Sequence, residues 1–140
     1  MHTRNVVSGV LLGIGVATFV DETVFHQLLH WHHFYDRSTT AMGLVSDGIL
    51  HAASMVATVA ALFLYADLRR RRAFAPRLWW GGLLAGAGGF QLYDGTVQHK
   101  VFRLHQIRYD VHLAPYDWAW NVVAVLLLAA GIVLLVRGRR

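Results

Sequence analysis

The segment GVLLGIGVATFVDETVFH at residues 9–26 decides the fold, because it returns 73 residues later as GLLAGAGGFQLYDGTVQH at residues 82–99. The second copy repeats the acid, the threonine–valine pair and the histidine of the first, as Asp94, Thr96, Val97 and His99 against Asp21, Thr23, Val24 and His26. A further histidine follows at the same distance in both copies, His32 and His105. This duplication predicts a symmetric pair of polar sites inside two apolar segments.

The composition is that of a membrane protein. Of the 140 residues, 56% are hydrophobic, which is more than soluble domains of this size usually contain. Four apolar stretches, at 5–27, 44–66, 78–100 and 117–136, reach the length of about 20 residues that a helix needs to cross a bilayer. The first is not expected to be a cleavable signal peptide, because no small-residue cleavage site follows it. The sequence therefore predicts an all-α fold, a four-helix transmembrane bundle.

Arginine marks one set of helix ends. The inner ends of the predicted helices carry Arg4, the run 69–72, Arg77, Arg137, Arg139 and Arg140, whereas acids outnumber bases at the opposite ends. The positive-inside rule then places both termini in the cytoplasm. The net charge of +5 reflects this topology, so we expect the lipid bilayer and no nucleic acid as a partner.

The duplication divides one membrane domain, residues 1–140, into two tandem helical hairpins. Repeat one covers 5–68, a basic cytoplasmic linker covers 69–77, and repeat two covers 78–137. An even number of spans per repeat makes the repeats parallel, with a symmetry axis along the membrane normal. Small-xxx-small glycine pairs predict that the first and third helices cross closely, at Gly9 and Gly13 against Gly82 and Gly86.

The polar residues of the outer half have the chemistry of metal ligands. Acids inside a membrane helix are costly and usually face a partner or a site. The chain has no cysteine, and imidazole with carboxylate suits zinc, iron or oxidised copper. The candidate ligands are His26, His51, His99, His32 and His105, with Asp21, Asp47 and Asp94 as carboxylate ligands or as groups that orient the imidazoles. A purely structural network is the alternative, and the roles of His30, His33 and His112 stay open.

A straight helix cannot present all of these side chains together. Residues four and eight apart form one stripe on a helix, as do Glu22, His26, His30 and His33, whereas Asp21 and His32 share a different face. The two halves are also chemically unequal, because Glu22, His30 and His51 are replaced by Gly95, Arg103 and Asn121. We therefore expect one composite site built from both repeats.

Four motifs carry a family resemblance: Asp-Glu-Thr-Val-Phe-His at 21–26, His-Trp-His-His at 30–33, Asp-Gly-Ile-Leu-His at 47–51 and Asp-Gly-Thr-Val-Gln-His at 94–99. Over nearly the whole chain they resemble bacterial membrane proteins of domain of unknown function 2243. The resemblance implies a multi-pass protein with four spans in the bacterial inner (plasma) membrane, and no established activity. The link of such proteins with cytochrome oxidase assembly or copper handling favours copper.

Three functions follow as hypotheses. The leading one is a membrane metalloprotein with a His/Asp centre near the extracytoplasmic face, where copper is favoured and iron or zinc stays open. Such a centre would move electrons or activate dioxygen, as in a metal-dependent oxidoreductase, and would need an electron donor. The second is a metal-binding or metal-delivery protein without catalysis, served by a metal donor. The third, less favoured, is a bis-histidine haem protein, and an oligomer stays open in all three.

Overall fold

The computed structural model describes residues 1–138, which contain four α-helices. The helices are α1 (His2–Asp21), α2 (Thr40–Arg70), α3 (Pro76–Tyr93) and α4 (Ala114–Gly138). The described residues contain no strand, so the prediction of an all-α, four-helix architecture is confirmed. Arg139 and Arg140, counted above among the inner arginines, lie outside the described range.

Two π-helical segments continue the odd-numbered helices. Segment π1 (Glu22–Leu28) follows α1, and segment π2 (Asp94–Phe102) follows α3. The sequence predicted helices to about residues 27 and 100, but not that their outer ends would be π-helical. A π-helix bonds residue i to residue i+5, so side chains five positions apart lie on the same side of it.

Both π-helical segments end in the same way. A residue in the left-handed region follows each segment, His30 with φ 50° and Arg103 with φ 52°. The next amide then bonds back into the helix, Trp31 N–H to Phe25 O at 2.9 Å and Leu104 N–H to Gln98 O at 3.0 Å, as in a Schellman-type cap. These residues are 73 positions apart, so the duplication in sequence is also a duplication of backbone structure at the outer ends.

The helices pack in the order α2–α1–α3–α4. Helix α1 contacts α2 and α3, and α3 contacts α1 and α4. Exchange of the two hairpins leaves this order unchanged, which is what a twofold relation between the repeats requires. Helices α1 and α3 therefore form the centre, and the C-terminal ends of these two central helices, which the sequence predicts to be the outer ends, carry the polar motif.

Glycines bring α1 and α3 together. A Cβ at Gly9 would overlap the backbone of Trp79, and a Cβ at Gly13 would overlap the backbone of Leu83. The reverse holds on α3, where Gly86 faces the backbone of Val10. The predicted crossing of the first and third helices at these glycines is confirmed, and it rests on backbone contact that any side chain would prevent.

Within residues 1–138, three of the four predicted spans are long and apolar enough to cross a membrane, namely α1 with π1, α2 and α4. Helix α3 is less apolar because five of its residues are glycine, Gly81, Gly82, Gly86, Gly88 and Gly89. It is enclosed between α1 and α4. Large apolar side chains cover the outside of α2 and α4, including Phe63 at 74% exposure, which suits contact with lipid.

A buried polar network joins the inner helix ends. Asn5 donates to Ala73 O at 3.0 Å and accepts from Ala75 N–H at 2.8 Å, which ties α1 to the linker. Ser8 donates to Ala61 O at 2.9 Å and accepts from Trp79 Nε1–H at 3.0 Å. Buried polar groups paired in this way hold the arginine-bearing ends together.

Candidate metal centre

The π-helical geometry brings each aspartate of the repeated motif to its histidine. In an α-helix, residues five apart would point in different directions, whereas in a π-helix they are aligned. Asp21 Oδ2 lies 3.8 Å from His26 Nε2, and Asp94 Oδ2 lies 3.1 Å from His99 Nε2. The repeated spacing Asp-x4-His was the sequence signal for this arrangement.

The second histidine of each motif comes from the loop beyond the π-helix, and each is held by the other repeat. His32 donates through Nδ1 to Ile107 O at 2.9 Å, and His105 donates through Nδ1 to Phe34 O at 2.8 Å. The two bonds are equivalent under the 73-residue shift, because position 32 corresponds to 105 and position 34 to 107. A carbonyl accepts only from a protonated nitrogen, so Nδ1 carries a proton in both rings, and Nε2 is the nitrogen that each ring turns toward the other residues of the motif.

The four imidazoles form one buried cluster. The rings of His32 and His105 stack in parallel with centroids 4.6 Å apart, and His26 packs edge-on to His32 at 4.4 Å. Nε2 of His105 lies 3.0 Å from Nε2 of His99 and 3.5 Å from Oδ1 of Asp94. With Asp21, these six side chains are at most 5% exposed, and we call them the central cluster: Asp21, His26, His32, Asp94, His99 and His105.

The central cluster fits a metal ion. Bonds from zinc to imidazole and carboxylate are about 2.0–2.2 Å long, so two atoms that share such an ion lie no more than about 4.4 Å apart. The pairs at 3.0 to 3.8 Å meet this limit. Ligand atoms of His32, His99 and His105 lie within 4.8 Å of one another, and so do those of Asp21, His26 and His32; each set of three could hold one ion after a small shift of its side chains.

Two buried nitrogens point to the same conclusion. Among residues 1–138, Nε2 of His26 and Nε2 of His32 have no hydrogen-bond partner although both are buried, and such groups normally have one. Burial, reinforced by the neighbouring His105 ring, lowers the pKa of His32 to about 2. The ring is therefore neutral at physiological pH, which is the form that binds metals.

Two carboxylates stand behind His26. Its Nδ1 donates to Asp47 Oδ1 at 3.0 Å and lies 2.8 Å from Glu22 Oε2 as an ion-pair contact, which leaves Nε2 directed at the central cluster. Asp47 also accepts from His33 Nδ1 at 2.6 Å and from Phe34 N–H at 2.7 Å. Both of its oxygens thus accept hydrogen bonds. Asp47 also lies within 4.8 Å of ligand atoms of Glu22 and His26, a further group that could hold an ion.

The second repeat lacks this support. Gly95 replaces Glu22, and the indole of Trp120 and the amide of Asn121 lie where a side chain at position 95 would begin. Among the described residues, Nδ1 of His99 has no partner. The two repeats therefore differ in the residues that contact Nδ1 of His26 and of His99. The six members of the central cluster, by contrast, correspond pairwise between the repeats.

His51 lies apart from the central cluster. Its half-buried ring packs against Phe19 at 5.4 Å, one helical turn along α2 from Asp47, and it belongs to none of the His, Asp and Glu groups close enough to share an ion in residues 1–138. Glu22 contacts the ring of His26, and His33 contacts the carboxylate of Asp47. The reason is local, because the loop over residues 29–39 folds back onto the start of α2 and meets Asp47 there.

Comparison with known proteins gives a family and no relative. The sequence model described as "Predicted membrane protein (DUF2243)" matches residues 8–138, so the chain belongs to this family. The match includes all six members of the central cluster. Neither a curated protein nor a solved structure matches the chain.

Proposed function

We propose that this DUF2243 protein holds a transition-metal centre of one or two ions in the outer half of a bacterial inner-membrane helix bundle, and that the centre serves redox or oxygen-activating chemistry. The observation that carries the proposal is the reciprocal pair of hydrogen bonds from His32 to Ile107 O and from His105 to Phe34 O. Each bond fixes one tautomer and turns Nε2 inward. Metal-binding histidines are typically held by such an outer bond.

The donor set favours copper and admits iron. Four imidazoles and two carboxylates without sulfur suit both metals, and copper(II) binds such ligands most tightly in the divalent series. Each repeat contributes two histidines and one aspartate, which is also the ligand pattern of non-haem iron. Zinc fits the same atoms but has no redox chemistry. Haem is disfavoured, because the rings of His26, His32 and His105 contact one another and leave no space for a porphyrin.

Burial supports a resident metal over a metal in transit. All six side chains of the central cluster are nearly inaccessible, and the backbone anchors of His32 and His105 come from the opposite repeat, so we expect release of an ion to require the two loops to separate. A metal-delivery function is the second candidate. It is favoured by a polar cavity of about 390 Å³ at the outer face, which His30, His33 and Asp36 line and which reaches His32.

The test is metal analysis of the full chain purified without added metal, combined with absorption and electron paramagnetic resonance spectra. We expect bound copper or iron in the wild type and its loss in His26→Ala and His99→Ala, while His112→Ala keeps it. His112 is the matched control because it is an exposed histidine outside the central cluster. Metal-free, colourless protein whose two cluster variants bind added copper as tightly as the wild type would overturn the proposal.

A further inference from the structure

An apolar cavity joins the side of the bundle to the central cluster. It has a volume of about 310 Å³ and lies between α1, α3 and α4. Its lip includes Val16 and Val20, which are 46% and 48% exposed in a helix apolar enough to span a membrane. The opening therefore faces the acyl chains of the bilayer, and molecules that enter come from the membrane phase.

Asp21 lines this cavity where it reaches the central cluster. The carboxylate is only 4% exposed, and its ion-pair contact to His26 Nε2 spans 3.8 Å, which is too long for a hydrogen bond. Asp94, its counterpart, lies closer to its own histidine, at 3.1 Å. A buried carboxylate without a close donor, at the end of an apolar cavity, is suited to accept a hydrogen bond from a ligand.

Aromatic rings supply the other recognition element. Phe25, Phe90 and Trp120 line the cavity, and aromatic side chains bind flat rings by stacked or edge-on contact. The volume lies at the lower end of the range for small-molecule sites, so it suits a single ring. The remaining part of a longer molecule would lie in lipid beyond the two valines of the lip.

We propose that this cavity binds a membrane-dissolved quinol, with its ring among the three aromatic side chains, one hydroxyl donating to Asp21 and its tail in the bilayer. A carboxylate has two oxygens, so one accepts the quinol hydroxyl while the other faces the central cluster. The cavity is a substrate site only if the proposed redox centre exists, so this role rests on the proposed function. The binding itself is independent of the metal.

The experiment measures binding of decylbenzoquinol to the full chain in nanodiscs, in parallel with metal content. Ala17→Phe places a ring in the cavity and should weaken binding by about tenfold or more with metal content unchanged. Ala53→Phe adds the same ring to an exposed position of α2, outside the cavity, and should bind as the wild type does. The dimethyl ether of the quinol, which cannot donate to Asp21, should bind more weakly.

A photoreactive quinol serves where Ala17→Phe does not fold. In the wild type it should label peptides that contain Phe25, Phe90 or Trp120, and unlabelled quinol should compete. Equal competition by a plain alkane of the same length would mean that a lipid chain occupies the cavity, and it would overturn the inference. So would quinol affinity that Ala17→Phe leaves unchanged. Cavity-specific quinol binding by a metal-free protein whose His26→Ala and His99→Ala variants bind added copper as tightly as the wild type would keep this site and overturn the proposed metal centre.

Discussion

Replacement of Asp47 by asparagine tests the metal centre without changing any member of the central cluster. Asp47 is buried at 1% exposure, and three donors face it, namely the imidazoles of His26 and His33 and the amide of Phe34. Asparagine keeps the shape but offers one acceptor oxygen and one amide group that donates. The amide group then faces either a donor or the His33 ring, which would have to change tautomer to accept from it, and the His26 ring loses the negative charge that orients it and raises its basicity.

The expected result is weaker metal binding in a folded protein. Loss of an outer-shell partner typically lowers metal affinity about 10- to 100-fold, which corresponds to about 1.4 to 2.7 kcal/mol. The Glu22 carboxylate still lies 2.8 Å from His26 Nδ1 and keeps a negative charge beside the ring, so Asp47→Asn should fall nearer the smaller value. The double variant Glu22→Gln, Asp47→Asn removes both charges and should approach the larger one.

The assay is competitive titration of copper into metal-free protein in nanodiscs, with the electron paramagnetic resonance spectrum as a readout of the ligand set. Asp36→Asn is the matched control. Asp36 accepts a hydrogen bond from the backbone amide of His33 at 3.0 Å and not from its ring. The control variant should leave the affinity unchanged. The reasoning is refuted if Asp47→Asn binds copper as tightly as the wild type, or if its spectrum shows that a ligand was lost.

Three further outcomes are expected. Gly86→Ala should destabilise the protein by roughly 1 to 3 kcal/mol in thermal unfolding, because the added Cβ meets the backbone of α1. Gly89→Ala, whose Cβ would lie in open space, should not. Equal stability of the two variants would contradict the crossing of α1 and α3. The metal-free protein should lose stability as the pH falls below about 6.5, by about 1.4 kcal/mol per pH unit, because the unfolded chain binds a proton at His32 that the folded state, with its pKa at about 2, refuses; an unchanged pH slope in His32→Asn would argue against this. His51→Ala should keep its full metal content, and loss of the metal would place that ring in the site after all.

The outer ends of α1 and α3 explain which part of the site was foreseeable. Asp21, His26 and His32 were recognisable as candidates because they recur as Asp94, His99 and His105, and a costly buried group is not repeated without a role. Their meeting was not foreseeable from α-helical periodicity, which separates residues five apart. The π-helical turns and the left-handed residues after them depend on how the two loops pack on each other.

The positions of His51 and His33 show the same limit. His51 follows Asp47 by one α-helical turn, so local spacing favoured it, whereas His33 reaches Asp47 only through the fold of a loop. Glu22 was visible as part of a stripe, but its contact with His26 Nδ1 depends on the conformation of π1.

Composition, arginine placement and the duplication are local or periodic properties of the chain, and they were enough to predict a four-helix membrane protein with paired aspartates and histidines. Helix number and the α1–α3 crossing followed because hydropathy and glycine spacing act through neighbours close in sequence. The central cluster is different, since His32 is anchored by Ile107 and His105 by Phe34, more than seventy residues away. Only the tertiary structure decides such contacts, because no sequence period encodes which carbonyl of one loop will meet an imidazole of the other.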